Sequence, residues 1–152
     1  MAVGLVGGRP AVAAAQNAGF FLIPTGPAVG TTVTSGTANA YGSYAQLIAS
    51  TSAALFIAGL VLDTPPAIAG ITYFQFMVAT GGAGAESGIG EAKTGFIEDA
   101  SIGHFDSLLL FPFPLRVAAS TRIAVKSACT QSGKTFNVSL LCINQTNLVI
   151  FT

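Results

Sequence analysis

Residues 128–135, Ala-Cys-Thr-Gln-Ser-Gly-Lys-Thr, are the sharpest candidate for phosphate chemistry, because they follow a relaxed phosphate-loop pattern with Ala128 in place of its first glycine. Such a loop works between a strand and a helix, whose amino-terminal amides face the anion. Here Thr135 leads into Phe-Asn-Val-Ser-Leu-Leu-Cys-Ile-Asn, a strand pattern. Thr130 to Lys134 therefore reads as a hairpin turn with Gly133 at positive φ. The glycines of residues 81–90 (GGAGAESGIG) miss the dinucleotide spacing and precede no helix, so they read as a loop. Lys93-Thr-Gly95 lacks the Ser-x-x-Lys and Ser-Asp-Asn companions of penicillin-recognising enzymes.

His104 is the sole histidine, with Asp106 two positions on. On a strand that spacing puts both on one face without the geometry of a Ser-His-Asp triad. Cys129 and Cys142 fall two ligands short of a zinc site and are too few for a disulfide framework. If Ser132-Gly133 forms a hairpin tip, Cys129 faces Phe136 and Cys142 lies far down the other strand. Two buried free thiols, as in a cytosolic product, are the expectation. Glu98-Asp99 could meet a hard cation, but two adjacent acids suit a solvated loop better. Asn137-Val-Ser and Asn144-Gln-Thr match the glycosylation pattern, which matters only in a secreted chain. No catalytic, cofactor or metal set emerges. The expectation is a protein that is not an enzyme and has no cofactor and no small-molecule substrate.

Charge is scarce as well. From Pro10 to Ala85 the only formal charge is Asp63, and the whole chain is 8% charged against about 25% in ordinary soluble domains. A freestanding domain needs surface charge to stay dispersed. A bilayer or an assembly that covers the subunit would tolerate this composition. The longest apolar run, Ala53 to Leu62, has ten residues and stops at Asp63-Thr-Pro-Pro. A spanning helix needs about 20. Trp is absent, and no basic region precedes an apolar core at the amino terminus. A membrane is not the expected setting. Net charge is zero, and six scattered Lys and Arg supply no basic patch for nucleic acid. An assembly remains.

The elements that must position any site are strands. Residues 1–42 are rich in Gly and Ala and broken by Pro10, Pro24 and Pro27, so they read as an extended, low-complexity amino-terminal arm. Phe20, Phe21, Leu22 and Ile23 are its anchor and candidate contacts to a neighbouring subunit. From residue 43 to 152 short runs alternate with turn signals, which predicts an all-β domain: a β-sandwich, jelly roll or barrel of eight or nine strands. In Gly70–Ala79 both alternating faces are largely apolar, as in a strand covered on both sides. Ala83 to Asp99 reads as a solvated loop with a short strand.

One constellation is left, Phe111-Pro-Phe-Pro-Leu-Arg-Val-Ala-Ala-Ser-Thr-Arg-Ile-Ala-Val-Lys126. Alternation points Leu115, Val117, Ile123 and Val125 inward and Arg116, Arg122 and Lys126 outward. Those three are half of the six Lys and Arg. They could anchor carboxylates of a neighbouring subunit or simply keep two strands solvated; the pattern fits both.

This segment and residues 36–55 (GTANAYGSYAQLIASTSAAL) resemble small β-sandwich proteins encoded among the structural genes of tailed bacteriophages. The matching stretches are Leu47 to Ser52, Gly82 to Glu86 and Pro114 to Ala124, within a resemblance spanning about residues 36 to 143. Ser120 stands where glycine is usual. The resemblance implies a virion component made in the host cytoplasm, with a capsid decoration or cement protein as the leading expectation. Its partners would be the major capsid protein and copies of itself, as a homotrimer on the capsid surface. The alternatives are a tail, baseplate or fibre module and, from another class, a carbohydrate-binding β-sandwich. The last would use surface aromatics, and the chain offers no Trp and only Tyr41, Tyr44 and Tyr73.

Overall fold

The computed structural model describes residues 20–24, 30–63, 71–99, 102–104 and 108–144, with backbone alone at 71, 96–99 and 102–104. The strands are β1 (Phe20–Ile23), β2 (Thr31–Thr34), β3 (Ala45–Ile48), β4 (Leu55–Asp63), β5 (Ile71–Thr80), β6 (Ser87–Asp99), β7 (Ile102–His104), β8 (Leu108–Val117), β9 (Ile123–Cys129) and β10 (Thr135–Asn144). All pairings between them are antiparallel.

Two sheets form. Sheet A runs β1-β10-β4-β8, with β2 also on β10, and sheet B runs β3-β9-β5-β6-β7. From β2 to β5 each strand crosses to the opposite sheet, and β8, β9 and β10 cross again. The pairings therefore nest, β2 with β10, β3 with β9, β4 with β8 and β5 with β6. That nesting is a jelly roll, in which one long doubled ribbon is wrapped over itself.

Alternation explains the core. On β10, Phe136, Val138, Leu140 and Cys142 point inward from sheet A, while Phe74, Phe76 and Val78 of β5 meet them from sheet B. Phe136 touches Phe74 edge-on, with centroids 4.5 Å apart and an interplanar angle of 88°. It meets Phe76 at 5.4 Å and 77°. The quadrupoles of the rings favour this crossed geometry over a face-to-face stack. The two thiols are free and buried, as expected. Burial pushes the Cys142 thiol up to about 12, and burial raises Cys129 as well.

Several expectations change. Of the segment read as an arm, residues 20–23 and 31–34 are strands that lie end to end along β10 and complete sheet A. The division at residue 42 thus falls inside the sandwich; residues 1–19 lie outside the described residues. Ala83 to Asp99 is mostly β6, a strand of 13 residues. Its glycines are useful there, since a Cβ on Gly90 would collide with Leu115 of β8, where the edges of the two sheets meet. The second face of β5 is covered only in part: Tyr73 is 61% exposed, while Gln75 and Met77 are half-buried, with Tyr44 OH donating to Met77 Sδ at 3.2 Å.

Thr130 to Lys134 is not a hairpin turn, because β9 and β10 belong to opposite sheets. It is a corner between sheets, and the end of β2 satisfies its backbone. Ser35 N donates to Lys134 O at 2.8 Å, Lys134 N to Ser35 Oγ at 2.9 Å, and Gly133 N to Gly36 O at 3.0 Å. Gly133 does take positive φ, 64°. Cys129 accordingly points into the core from sheet B rather than across a hairpin at Phe136. The corner between β8 and β9 is held by buried Thr51, whose Oγ1 donates to Ala118 O at 2.7 Å and accepts from Thr121 N at 3.0 Å. Ser120 sits there at φ 57°, the left-handed region that glycine adopts without strain.

Candidate functional site

The two sheets present outer faces of unlike chemistry. In an antiparallel pair, residues directly opposite each other project to the same side, so the registers of sheet A define rows across it. Phe20 lies opposite Ile143, Ile143 opposite Phe56, and Phe56 opposite Arg116. The next row reads Leu22, Leu141, Gly59, Leu110, and the one after it Ser139, Val61, Leu108. Leu22 and Leu108 are exposed, and Phe20 and Leu110 each show 62% of their surface. The face turns polar at its margins: at exposed Arg116, which ends the first row, and at the far end, where Thr32 donates to Asn137 Oδ1 at 2.9 Å and Asn137 lies opposite Asp63.

The edge strand β8 extends this apolar surface. Leu110 pairs with Gly59 and Leu115 with Ile57, so residues 111–114 lie opposite Ala58 alone and bulge from the sheet. Phe111 turns into the core, whereas Phe113 is 81% exposed. Pro112 and Pro114 have no amide hydrogen, so the bulged edge resists pairing with a further strand. The segment suits contact through side chains.

The outer face of sheet B is polar and internally bonded. Glu91 accepts from Tyr41 OH at 2.9 Å and from Gln75 Nε2 at 2.8 Å. Partial burial and this bond to Glu91 hold the Tyr41 phenol well above the usual tyrosine range. Lys126 Nζ stands 4.7 Å from the Tyr41 ring centroid and 4.4 Å from that of Tyr44, so two aromatic faces share one ammonium. Arg122 donates from Nε to Gln46 at 2.8 Å and from Nη1 to Glu86 Oε1 at 2.9 Å.

The candidate contact residues therefore separate. Phe20 and Leu22 face out from sheet A, while Ile23 is buried and Phe21 packs against the core. Arg116 is exposed on sheet A and makes no ion pair among the described residues. Arg122 and Lys126 lie on the opposite sheet and bind groups of their own chain, so the three cations form no common patch. Leu108, Leu110, Phe113, Leu141 and Ile143 were not singled out. Their signal was strands apolar at both alternating positions, which equally fits strands covered on both sides.

Among the described residues no three His, Cys, Asp or Glu side chains gather to hold a metal ion. The side chains of His104, Glu98 and Asp99, and Asp106 altogether, lie outside them. No family model, curated protein or solved structure matches the chain.

Proposed function

We propose that this chain is a virion structural protein, a decoration or cement subunit that docks on a capsid through the outer face of sheet A. The carrying observation is the contrast between the faces. One sheet shows water a bonded layer of Tyr, Glu, Gln, Lys and Arg; the other shows it Phe, Leu, Ile and Val. Contiguous apolar surface of this kind marks a contact face. A shell subunit needs that division, with one side against its neighbours and the other in solvent.

The resemblance of Leu47–Ser52, Gly82–Glu86 and Pro114–Ala124 to structural proteins of tailed phages supports the same reading. The partners are the major capsid protein and further copies of this chain, as a homotrimer on the capsid surface. The mechanism is mass action: a subunit that binds only the assembled shell shifts the equilibrium towards it. A standard specific interface buries about 1,600 Å² in total, part of which offsets the entropy of association.

The experiment combines light scattering on the purified chain with electron microscopy of particles made with and without it. The wild type is expected to trimerise or bind shells. Leu108→Glu with Leu110→Glu should abolish both and leave thermal unfolding unchanged. A wild type that remains a monodisperse monomer and leaves particles unaltered overturns the reading.

A further inference from the structure

We propose that the outer face of sheet B carries a saccharide-binding cleft with Tyr73 as its stacking platform. The site is independent of the apolar face and of what that face docks on.

The cleft has a volume of about 560 Å³ and opens widely to solvent between the outward side chains of β5, β6 and β9. The registers build it. Tyr73 lies opposite Gly95, and Gln75 lies between Lys93 and Ala128. Gly95 and Ala128 form a low floor beside the tall Tyr73. A Cβ on Gly95 would stand 3.1 Å from Tyr73 Cε1, so glycine is what lets the ring lean over β6. The rest of that ring is in water, at 61% exposure.

The walls hold fixed polar groups. Asn39 lines the cleft, and its backbone is pinned at φ 64° by an amide that donates to Cys129 O at 2.6 Å. Gln75 Nε2 is committed to Glu91, which orients the carboxamide and leaves Oε1 to accept from a ligand hydroxyl. Lys93 lines the opposite wall and makes no ion pair among the described residues. Thr130 Oγ1 accepts from Tyr73 N at 3.2 Å and borders the cleft.

One exposed aromatic ring ringed by two carboxamides, a hydroxyl and an ammonium matches a sugar. Its C–H face can lie on the ring while its hydroxyls exchange bonds with the planar amides. An apolar ligand would stay largely wet in so open a cleft. A phosphate would find one cation and no nest of backbone amides. Lys93 can take either a ring hydroxyl or a uronate carboxylate. The chain has only three tyrosines, too few to expect a saccharide site. Convergence decides otherwise, because Tyr41 and Tyr44 order the same face on which Tyr73 projects.

The test is NMR titration of the labelled full chain with maltohexaose, cellohexaose and tetragalacturonate, following the Asn39 and Gln75 carboxamides and the Gly95 amide. Saturable shifts at these groups with at least one sugar are expected. Tyr73→Ala should weaken them about tenfold or more, a change of roughly 1.4 kcal/mol. Lys93→Gln, a second exposed site, should weaken tetragalacturonate selectively if the carboxylate is what Lys93 binds, and all binders alike if it holds a hydroxyl. The Leu108→Glu, Leu110→Glu chain should keep the shifts, so loss of shell docking and loss of sugar binding are read separately. No saturable shift from any of the three sugars overturns the proposal, as do shifts that survive Tyr73→Ala.

Discussion

Arg122 Nη1 lies 2.9 Å from Glu86 Oε1, with the two side chains only 16% and 9% exposed. The same nitrogen donates to Gly81 O at 3.2 Å, so one guanidinium holds both ends of the 81–86 turn against the start of β9. Arg122 is therefore a strap within its own sheet.

The Glu86 carboxyl is held below the usual carboxylate range, first by a hydrogen bond from its own backbone amide, with burial opposing and Arg122 adding to the depression. A folded value below the unfolded one stabilises the fold above the ordinary carboxylate range. That contribution is lost as pH falls through the folded value. Arg122→Gln removes the guanidinium but leaves the backbone bond, so the Glu86 titration should move only part of the way back up. Carbon-detected NMR titration of the Glu86 carboxyl in both proteins checks this, and an unmoved curve would show that Arg122 does not act on it.

Phe136 is the residue through which β10 grips β5, since both Phe74 and Phe76 rest on its ring. Phe136→Ala is expected to cost about 3–5 kcal/mol, read as a lowered urea midpoint with the slope unchanged. Phe113→Ser, at 81% exposure, should stay within about 0.5 kcal/mol of wild type. Equal losses at the two sites would contradict the placement of the core.

Ser120 occupies a left-handed backbone position, at φ 57°. Ser120→Gly relieves a steric cost of roughly 1 kcal/mol, partly offset by the freer unfolded chain. The variant should unfold at the same or a slightly higher temperature, and Ser120→Val at a distinctly lower one. A clear loss on Ser120→Gly would mean that the serine side chain does something for the corner that its backbone conformation does not.

The all-β class was legible because β-branched and aromatic runs alternate between clear turn signals, as in Ala54–Leu62 and Arg122–Cys129. β6 was not, because three glycines disguise a strand that owes its form to pairing with β5 along its length. Sheet assignment was also hidden. Gln-Ser-Gly-Lys serves a corner between sheets as readily as a hairpin, and only the bonds to Ser35 and Gly36 tell them apart. The apolar face escaped for a different reason. Val61, Leu141 and Ile143 lie in near-continuous apolar runs, and local pattern does not say which side of such a strand another layer covers.

Phe20 and Ile143 are register partners at one end of sheet A. Phe20 and Asn144, the outermost described residues, thus lie side by side at one corner of the sandwich, beside the oily surface. A bulky domain inserted directly before Phe20 or directly after Asn144 should therefore shield that surface like a fender, from the same spot in both cases.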